Sequence, residues 1–266
     1  MRRSRVDLSG AHAIVTGGSA GIGLAVAERL ADRGARVSLI ARDPERLAAA
    51  AARVPGAATA SADVTDARAL RAAIDGLVAE RGPCDVLVTS AGAAHPGYFL
   101  ELDESVFRDQ MELDYFGTLH AIRAVLPSMV ERRRGTVVGV SSDAGLIGVF
   151  GYTAYGATKF AVRGLLDALR AEMRPHGVHV LCAYPPDTDT PGFEAENRLK
   201  PPETAAISAG ITLRTADEVA ASIVDGIERS RVVITTDVQS ALLARVAGLL
   251  RPLLDRVMDR AAARAT

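Results

Sequence analysis

Ala13-Ile14-Val15-Thr16-Gly17-Gly18-Ser19-Ala20-Gly21-Ile22-Gly23 decides how the rest of this chain is read. A short apolar run leads into a glycine turn. Leu24, Val26, Ala27 and Leu30 then recur at helical spacing until Gly34. The order is strand, turn, helix. Glycines at 17, 21 and 23 permit a tight turn and let backbone approach a phosphate closely. The helix N-terminus behind them offers N–H donors and the positive end of a dipole. A lone glycine cluster is usually an ordinary turn, but its place after a first strand favours a binding role. Gly17, Ser19, Ala20, Gly21 and Ile22 are the expected contacts.

The alternation continues outward from this unit. Residues 37–41, 59–64, 86–90, 136–141, 178–183 and 232–235 read as strands. Residues 44–52, 66–80, 103–113, 114–132 and 216–229 read as helices, and another carries Tyr155 and Lys159 on to Arg174. Composition does not shift along the way. The pattern predicts an α/β fold, one doubly wound parallel sheet of about seven strands with helices on both faces. Residues 1–266 are expected to form a single domain. Continuous Val/Ile/Leu runs suit strands buried on both sides. The least regular region, 184–212, is rich in Pro and Thr and follows the sixth strand. Ligands bind beyond the carboxyl ends of such strands, so this segment is expected to be a substrate loop.

The chain has 266 residues, 48% hydrophobic and 24% charged, with a formal net charge of -1. That balance supports a substantial core and gives no argument for a nucleic-acid partner. Cys84 and Cys182 stand in apolar runs and read as core residues, without a disulfide framework or metal site. Arg2, Arg3 and Arg5 are not followed by an apolar stretch, so no secretory signal is expected. No apolar run reaches the ~18–20 residues needed to span a bilayer. A cytoplasmic protein is expected.

The second strand ends at Ala41-Arg42-Asp43. An acidic residue there would accept the ribose 2′-OH of NAD, whereas an arginine pairs with the 2′-phosphate of NADP. Arg42 has the position and Arg46 follows one turn later. Asp43 is read as the N-cap of a helix that starts at Pro44. NADP(H) is therefore the expected cofactor.

Tyr155 and Lys159 are four residues apart, on one face of a helix. An adjacent ammonium favours the ionised form of a phenol, which otherwise titrates near ~10. Such a phenol can exchange a proton with a substrate oxygen. Ser142, thirteen residues earlier at the end of a strand, can supply a second hydrogen bond where oxyanion charge develops. Ser141 would point to the other side, and Tyr152 has Gly156 four residues ahead, not a lysine.

Taken in order, the Thr-Gly-x-x-x-Gly-Ile-Gly turn at 16–23, Asp63-Val64, Ala91-Gly92, Ser142 and Tyr155-x-x-x-Lys159 resemble the short-chain dehydrogenase/reductase family. The resemblance implies a Rossmann-type domain and hydride transfer between a nicotinamide cofactor and a carbonyl or alcohol. It implies that Asp63 and Val64 contact the adenine and that Ala91 and Gly92 lie near a ribose. Tyr155 would be the acid/base, Lys159 would lower its pKa and hold the nicotinamide ribose, and Ser142 would bind the carbonyl oxygen. Two departures stand out. Asp114 occupies the place of a helical Asn, and Ser90-Ala91-Gly92 replaces Asn-Ala-Gly. Both bear on rate and pH dependence more than on reaction type.

Residues 183–201, with Pro185-Pro186 in place of the usual Pro-Gly, are similar to 3-ketodihydrosphingosine reductases, as is Phe150-Gly151-Tyr152-Thr153-Ala154-Tyr155. That similarity implies a long-chain, lipid-like ketone substrate, with Thr188 and Thr190 near the nicotinamide carboxamide and phosphates. At residues 240–262 apolar positions recur at 242/243, 246, 249/250, 253/254 and 257/258, with arginines between them. This amphipathic helix has two open roles, peripheral contact at the inner face of a membrane, or packing on the domain or on another subunit. A homo-oligomer is expected. Two rival functions stay open, a reductase of another apolar ketone or secondary alcohol and a nucleotide-binding relative with little activity.

Overall fold

Neighbouring residues of the first strand, β1 (His12–Thr16), serve two different cores. Ala13 and Val15 are fully buried on one side of the sheet, with Leu30, Leu39 and Ile223. Ile14 is fully buried on the other, with Leu70, Leu87, Ile122 and Leu166. Successive side chains of a strand point to opposite faces, so a strand buried on both sides must be apolar at every position. Each fully buried Leu or Ile contributes about 1.5–3 kcal/mol of transfer free energy.

The computed structural model describes residues 5–263. After β1 come α1 (Gly21–Asp32), β2 (Arg36–Ala41), α2 (Pro44–Ala51), β3 (Ala58–Ser61), α3 (Ala67–Arg81) and β4 (Val86–Thr89). Then follow α4 (Glu104–Gln110), α5 (Gly117–Glu131), β5 (Gly135–Val140), α6 (Thr153–Met173) and β6 (Val178–Tyr184). The last third holds β7 (Thr188–Asp189), α7 (Pro191–Asn197), α8 (Pro202–Ser208), β8 (Arg214–Thr215), α9 (Ala216–Glu228), β9 (Val233–Thr235) and α10 (Val238–Ala263). Seven strands form one parallel sheet in the order β3-β2-β1-β4-β5-β6-β9. Register pairs Val15 with Leu39 on one side and with Val88 on the other. The order reverses between β1 and β4, which opens a crevice at the carboxyl ends. Gly139 in β5 lets α6 pack close, because a Cβ there would overlap Leu166. That contact sets the height of α6, and with it of Tyr155 and Lys159, above the sheet.

The sequence expectation of a doubly wound parallel sheet agrees with this architecture, and several boundaries move. β3 ends at Ser61, so Asp63 and Val64 lie past its tip. The two helices expected at 103–113 and 114–132 are one helical run interrupted by a π-helical turn, Met111–Phe116. Such turns insert a residue into the helical ladder and occur often at functional sites.

The region expected to be a loop is largely structured. Pro191 opens α7, and the Thr190 hydroxyl caps it by accepting from the Phe193 N–H at 3.1 Å. Thr204 of α8 donates to the Phe150 carbonyl at 2.9 Å, and Tyr98 donates to Glu203 at 2.9 Å. β7 and β8 pair in parallel, Thr188 with Arg214.

α10 runs through Pro252 without a break. Leu243 and Ala244 in its early turns pack on the core that holds Ile122 and Leu166. The apolar positions expected at 250, 253, 254, 257 and 258 lie outside the described side chains, as Arg2 and Arg3 lie outside the described residues. Among the described residues no helix is long and apolar enough to cross a membrane.

Candidate active site

The turn after β1 is built from glycine conformations. Gly17 has φ +68°, and a Cβ there would lie 2.7 Å from the Ala91 backbone nitrogen. An L side chain is strained at that φ and would also force the β1 and β4 loops apart. α1 begins at once behind it. Its N-cap, Ala20, offers no side-chain acceptor, and the first turn carries no acidic residue. The leading N–H groups of a twelve-residue helix are thus left without a capping partner. They belong to residues on the wall of a cavity of about 570 Å³, which Gly17, Ala20, Gly21 and Ile22 line. A pyrophosphate fits that end chemically.

Ser142, Tyr155 and Lys159 line the same cavity. Ser142 leaves β5 in extended conformation, and its Oγ accepts from the Ala144 N–H at 3.2 Å. Its hydroxyl is hydrogen-bonded to Tyr155. The neighbouring Ser141 is buried and points the other way, donating to the Lys159 carbonyl oxygen at 2.9 Å. One serine therefore ties α6 to the sheet while the next faces the phenol.

The Lys159 ammonium lies 5.4 Å from the centre of the Tyr155 ring. It donates to the Val140 carbonyl at 3.4 Å and stands 3.6 Å from Asp114 Oδ1. Asp114 is wholly buried and comes from the π-helical turn. It accepts from the Ala93 N–H at 3.1 Å and from the Thr158 hydroxyl at 2.9 Å. Burial pushes its pKa up, while Lys159, Thr158 and Ala93 pull it down, and the net direction is up.

These charges change one sequence expectation. The phenol of Tyr155 is not lowered in this structure. Burial raises its pKa first, the charges of Asp114 and Glu196 raise it further, and the bond with Ser142 opposes them. Lys159 shares its charge with Asp114 and the Val140 carbonyl. Tyr155 is thus held protonated at neutral pH.

The far wall lies outside the site expected from the sequence. Tyr152 is buried, its ring centre lies 5.6 Å from that of Tyr155, and its hydroxyl donates to Glu196. Burial and the Glu196 charge raise its pKa, so it remains a neutral wall residue. Glu196 also pairs at 3.0 Å with Lys200, whose side chain is 2% exposed and lies 4.1 Å from the Phe193 ring centre. Asp143, Asp187, Asp237 and Leu243 complete this side. Asp143 and Asp187 are next to residues singled out from the sequence, and their acidity was the available signal.

The remaining predicted cofactor residues fall into two groups. Ala91, Gly92 and Thr188 line the cavity with the catalytic set. Ser19, Arg42, Arg46, Asp63 and Val64 do not line it. Arg42 and Asp63 meet at 3.7 Å past the tips of β2 and β3. Burial works against the Asp63 carboxylate, but hydrogen bonds from Thr65 and the charge of Arg42 hold its pKa below the ordinary value. Val64 is buried among core residues, so its side chain is not available to a ligand. Asp43 caps α2 as expected, accepting from the Glu45 and Arg46 N–H groups at 2.9 and 3.1 Å. Cys84 and Cys182 are both buried and free.

A sequence profile of the short chain dehydrogenase family matches residues 11–200. The chain belongs to the short-chain dehydrogenase family. It is an oxidoreductase of that family, whose members bind a nicotinamide cofactor. Among relatives, it is 43% identical over 228 residues to a 3-dehydrosphinganine reductase of Danio rerio, covering 82% of this chain and 69% of that one. It is 40% identical over 273 residues to a 3-ketodihydrosphingosine reductase of Dictyostelium discoideum, covering 94% and 82%. Among solved structures, that of levodione reductase superposes with a TM-score of 0.81 at 25% identity, covering 88% of this chain and 98% of the other. This family fold agrees with the Rossmann-type reading of the sequence.

Proposed function

We propose that this short-chain dehydrogenase is an NADPH-dependent reductase of the 3-keto group of 3-ketodihydrosphingosine, giving dihydrosphingosine. One observation carries the reading. Ser142, Tyr155, Lys159 and the glycine turn converge on one cavity, in a chain about 40% identical over most of its length to reductases named for that ketone.

A bound reduced nicotinamide supplies hydride to the carbonyl carbon, and the chain's own residues manage the oxygen. Tyr155, held protonated by burial, donates its proton to the carbonyl oxygen as negative charge develops there. Ser142 donates a second hydrogen bond, and a donor of this kind contributes roughly 10²–10³ in rate. Lys159, fixed by Asp114 and Val140, places a positive charge beside the phenol and would hold the nicotinamide ribose. The uncapped start of α1 holds the pyrophosphate, with Ser19 and the glycines around it. Arg42 and Arg46 take the 2′-phosphate, because Asp43 is engaged as a helix cap. Asp63 and Val64 would flank the adenine, Ala91 and Gly92 a ribose, and Thr188 the carboxamide.

The test is turnover of 3-ketodihydrosphingosine with NADPH, followed by loss of reduced-nicotinamide absorbance. Absence of turnover, in a preparation that reduces a steroid or short-chain ketone, sinks the substrate assignment.

A further inference from the structure

Among the described residues, two buried side-chain oxygens have no hydrogen-bond partner, Asp143 Oδ1 and Asp187 Oδ2. Both residues line the cavity that holds Ser142 and Tyr155. Leaving a buried carboxylate oxygen unbonded is costly, and native folds seldom tolerate it. Two residues that line one cavity, each carrying such an oxygen, point to a ligand group that completes them.

Charge defines that group. Four carboxylates line the cavity, those of Asp143, Asp187, Glu196 and Asp237, against the single ammonium of Lys159. Glu196 is neutralised by Lys200 at 3.0 Å, and Asp237 accepts from Arg214 at 3.3 Å and from the Ser240 N–H at 2.8 Å. Asp187 Oδ2 has Lys200 at 4.0 Å. Asp143 has no ion pair among the described residues. Its other oxygen accepts from the Ser240 hydroxyl at 2.7 Å, and its N–H donates to the Pro185 carbonyl at 3.1 Å. The side chain is anchored, and one oxygen is left over. Burial, then the charges of Asp237 and Asp187, raise its pKa to about 6, an environment that an incoming cation relieves.

Position defines where the cation sits. Asp143 directly follows Ser142, the residue assigned to the carbonyl oxygen. A cation that reaches Asp143 while the carbonyl contacts Ser142 belongs on a carbon close to that carbonyl. We propose that Asp143, with Asp187 in the same cavity, is the counter-charge for an ammonium on the carbon next to the ketone. The pocket then selects α-amino ketones over plain ketones. This rests on the reductase reading above, whose ketone carries an amino group on that carbon.

The experiment measures binding of decylammonium and of decanol to the full chain with NADPH. The wild type is expected to prefer the ammonium by about tenfold or more, as truncating one partner of a buried charge pair costs at least that much. Asp143→Asn brings the ratio near one, and Asp143→Glu restores part of it. Cofactor binding and thermal unfolding establish that each variant is folded. A wild-type ratio near one, or a preference that survives in Asp143→Asn, overturns the proposal. Turnover of 3-ketodihydrosphingosine and of its des-amino analogue is read separately. Reduction of neither ketone rejects the reductase reading, and the binding ratio still decides on Asp143.

Discussion

The carboxylate of Asp114 and the ammonium of Lys159 face each other at 3.6 Å, with Lys159 5% exposed and Asp114 not at all. The pair gives the lysine a fixed negative neighbour, and that charge also acts on the phenol of Tyr155. Asp114→Asn removes a contribution that raises the phenol pKa. Reduction needs the protonated phenol, so activity is lost as pH rises through its pKa. The basic limb of the kcat/KM profile for ketone reduction therefore moves to lower pH in the variant. A basic limb that stays in place or moves upward would refute the coupling.

Tyr155→Phe keeps the ring and removes the proton. Turnover is expected to fall about 10²–10⁴-fold. NADPH affinity should hold, since the hydroxyl is assigned to the ketone. Ser142→Ala is expected to cost about 10²–10³-fold in kcat. Steady-state kinetics beside fluorescence titration of NADPH checks both, and a Phe variant with near-normal turnover would move the proton donor elsewhere.

Arg42→Ala tests cofactor choice. Charge-assisted bonds to a phosphate are worth about 1.5–3 kcal/mol, so the NADPH Kd should rise roughly 10- to 100-fold. NADH, which lacks the 2′-phosphate, should be affected far less. Equal weakening of both cofactors would show that the variant merely disturbs Asp63, 3.7 Å from Arg42.

Asp143 predicts a pH-dependent stability. Its pKa in the fold is about 6, above the ordinary 3.8, so the folded state holds the proton more tightly. The stabilisation is complete below about 4 and disappears as pH rises through about 6. At pH 8 the wild type carries a buried, incompletely bonded charge that Asp143→Asn lacks. The variant should gain roughly 1–3 kcal/mol over the wild type at pH 8, and the gap should close at pH 4. Thermal unfolding at the two pH values reads it. A gap independent of pH would trace the effect to packing.

Much of the nucleotide end was legible because its causes are local. The glycines at 17, 21 and 23, the cap at Asp43 and the spacing of Tyr155 and Lys159 each lie within one turn or one helix. The doubly wound parallel sheet also followed, since apolar strands alternating with helices admit few arrangements. The far wall depends on contacts made across the chain. Tyr152 has no lysine four residues ahead, yet its partner Glu196 lies forty-four residues on. Asp143 does not stand out beside Ser142 in the sequence, because the oxygen it leaves unbonded becomes apparent only when Ser240 takes the other. The π-helical turn that presents Asp114 leaves no mark on apolar periodicity. In 184–212, proline and threonine read as loop residues, although Thr190 and Pro191 are also a helix start.

Ser240 reaches back ninety-seven residues to Asp143, and Leu243 lines the same cavity. The order of synthesis is thereby imposed on the order of assembly. A nascent chain that has emerged as far as β9 already contains all seven strands and the glycine turn. It still lacks Ser240 and Leu243, which line the cavity. The glycine turn can be in place before release from the ribosome, whereas the complete cavity must wait for the first turns of α10.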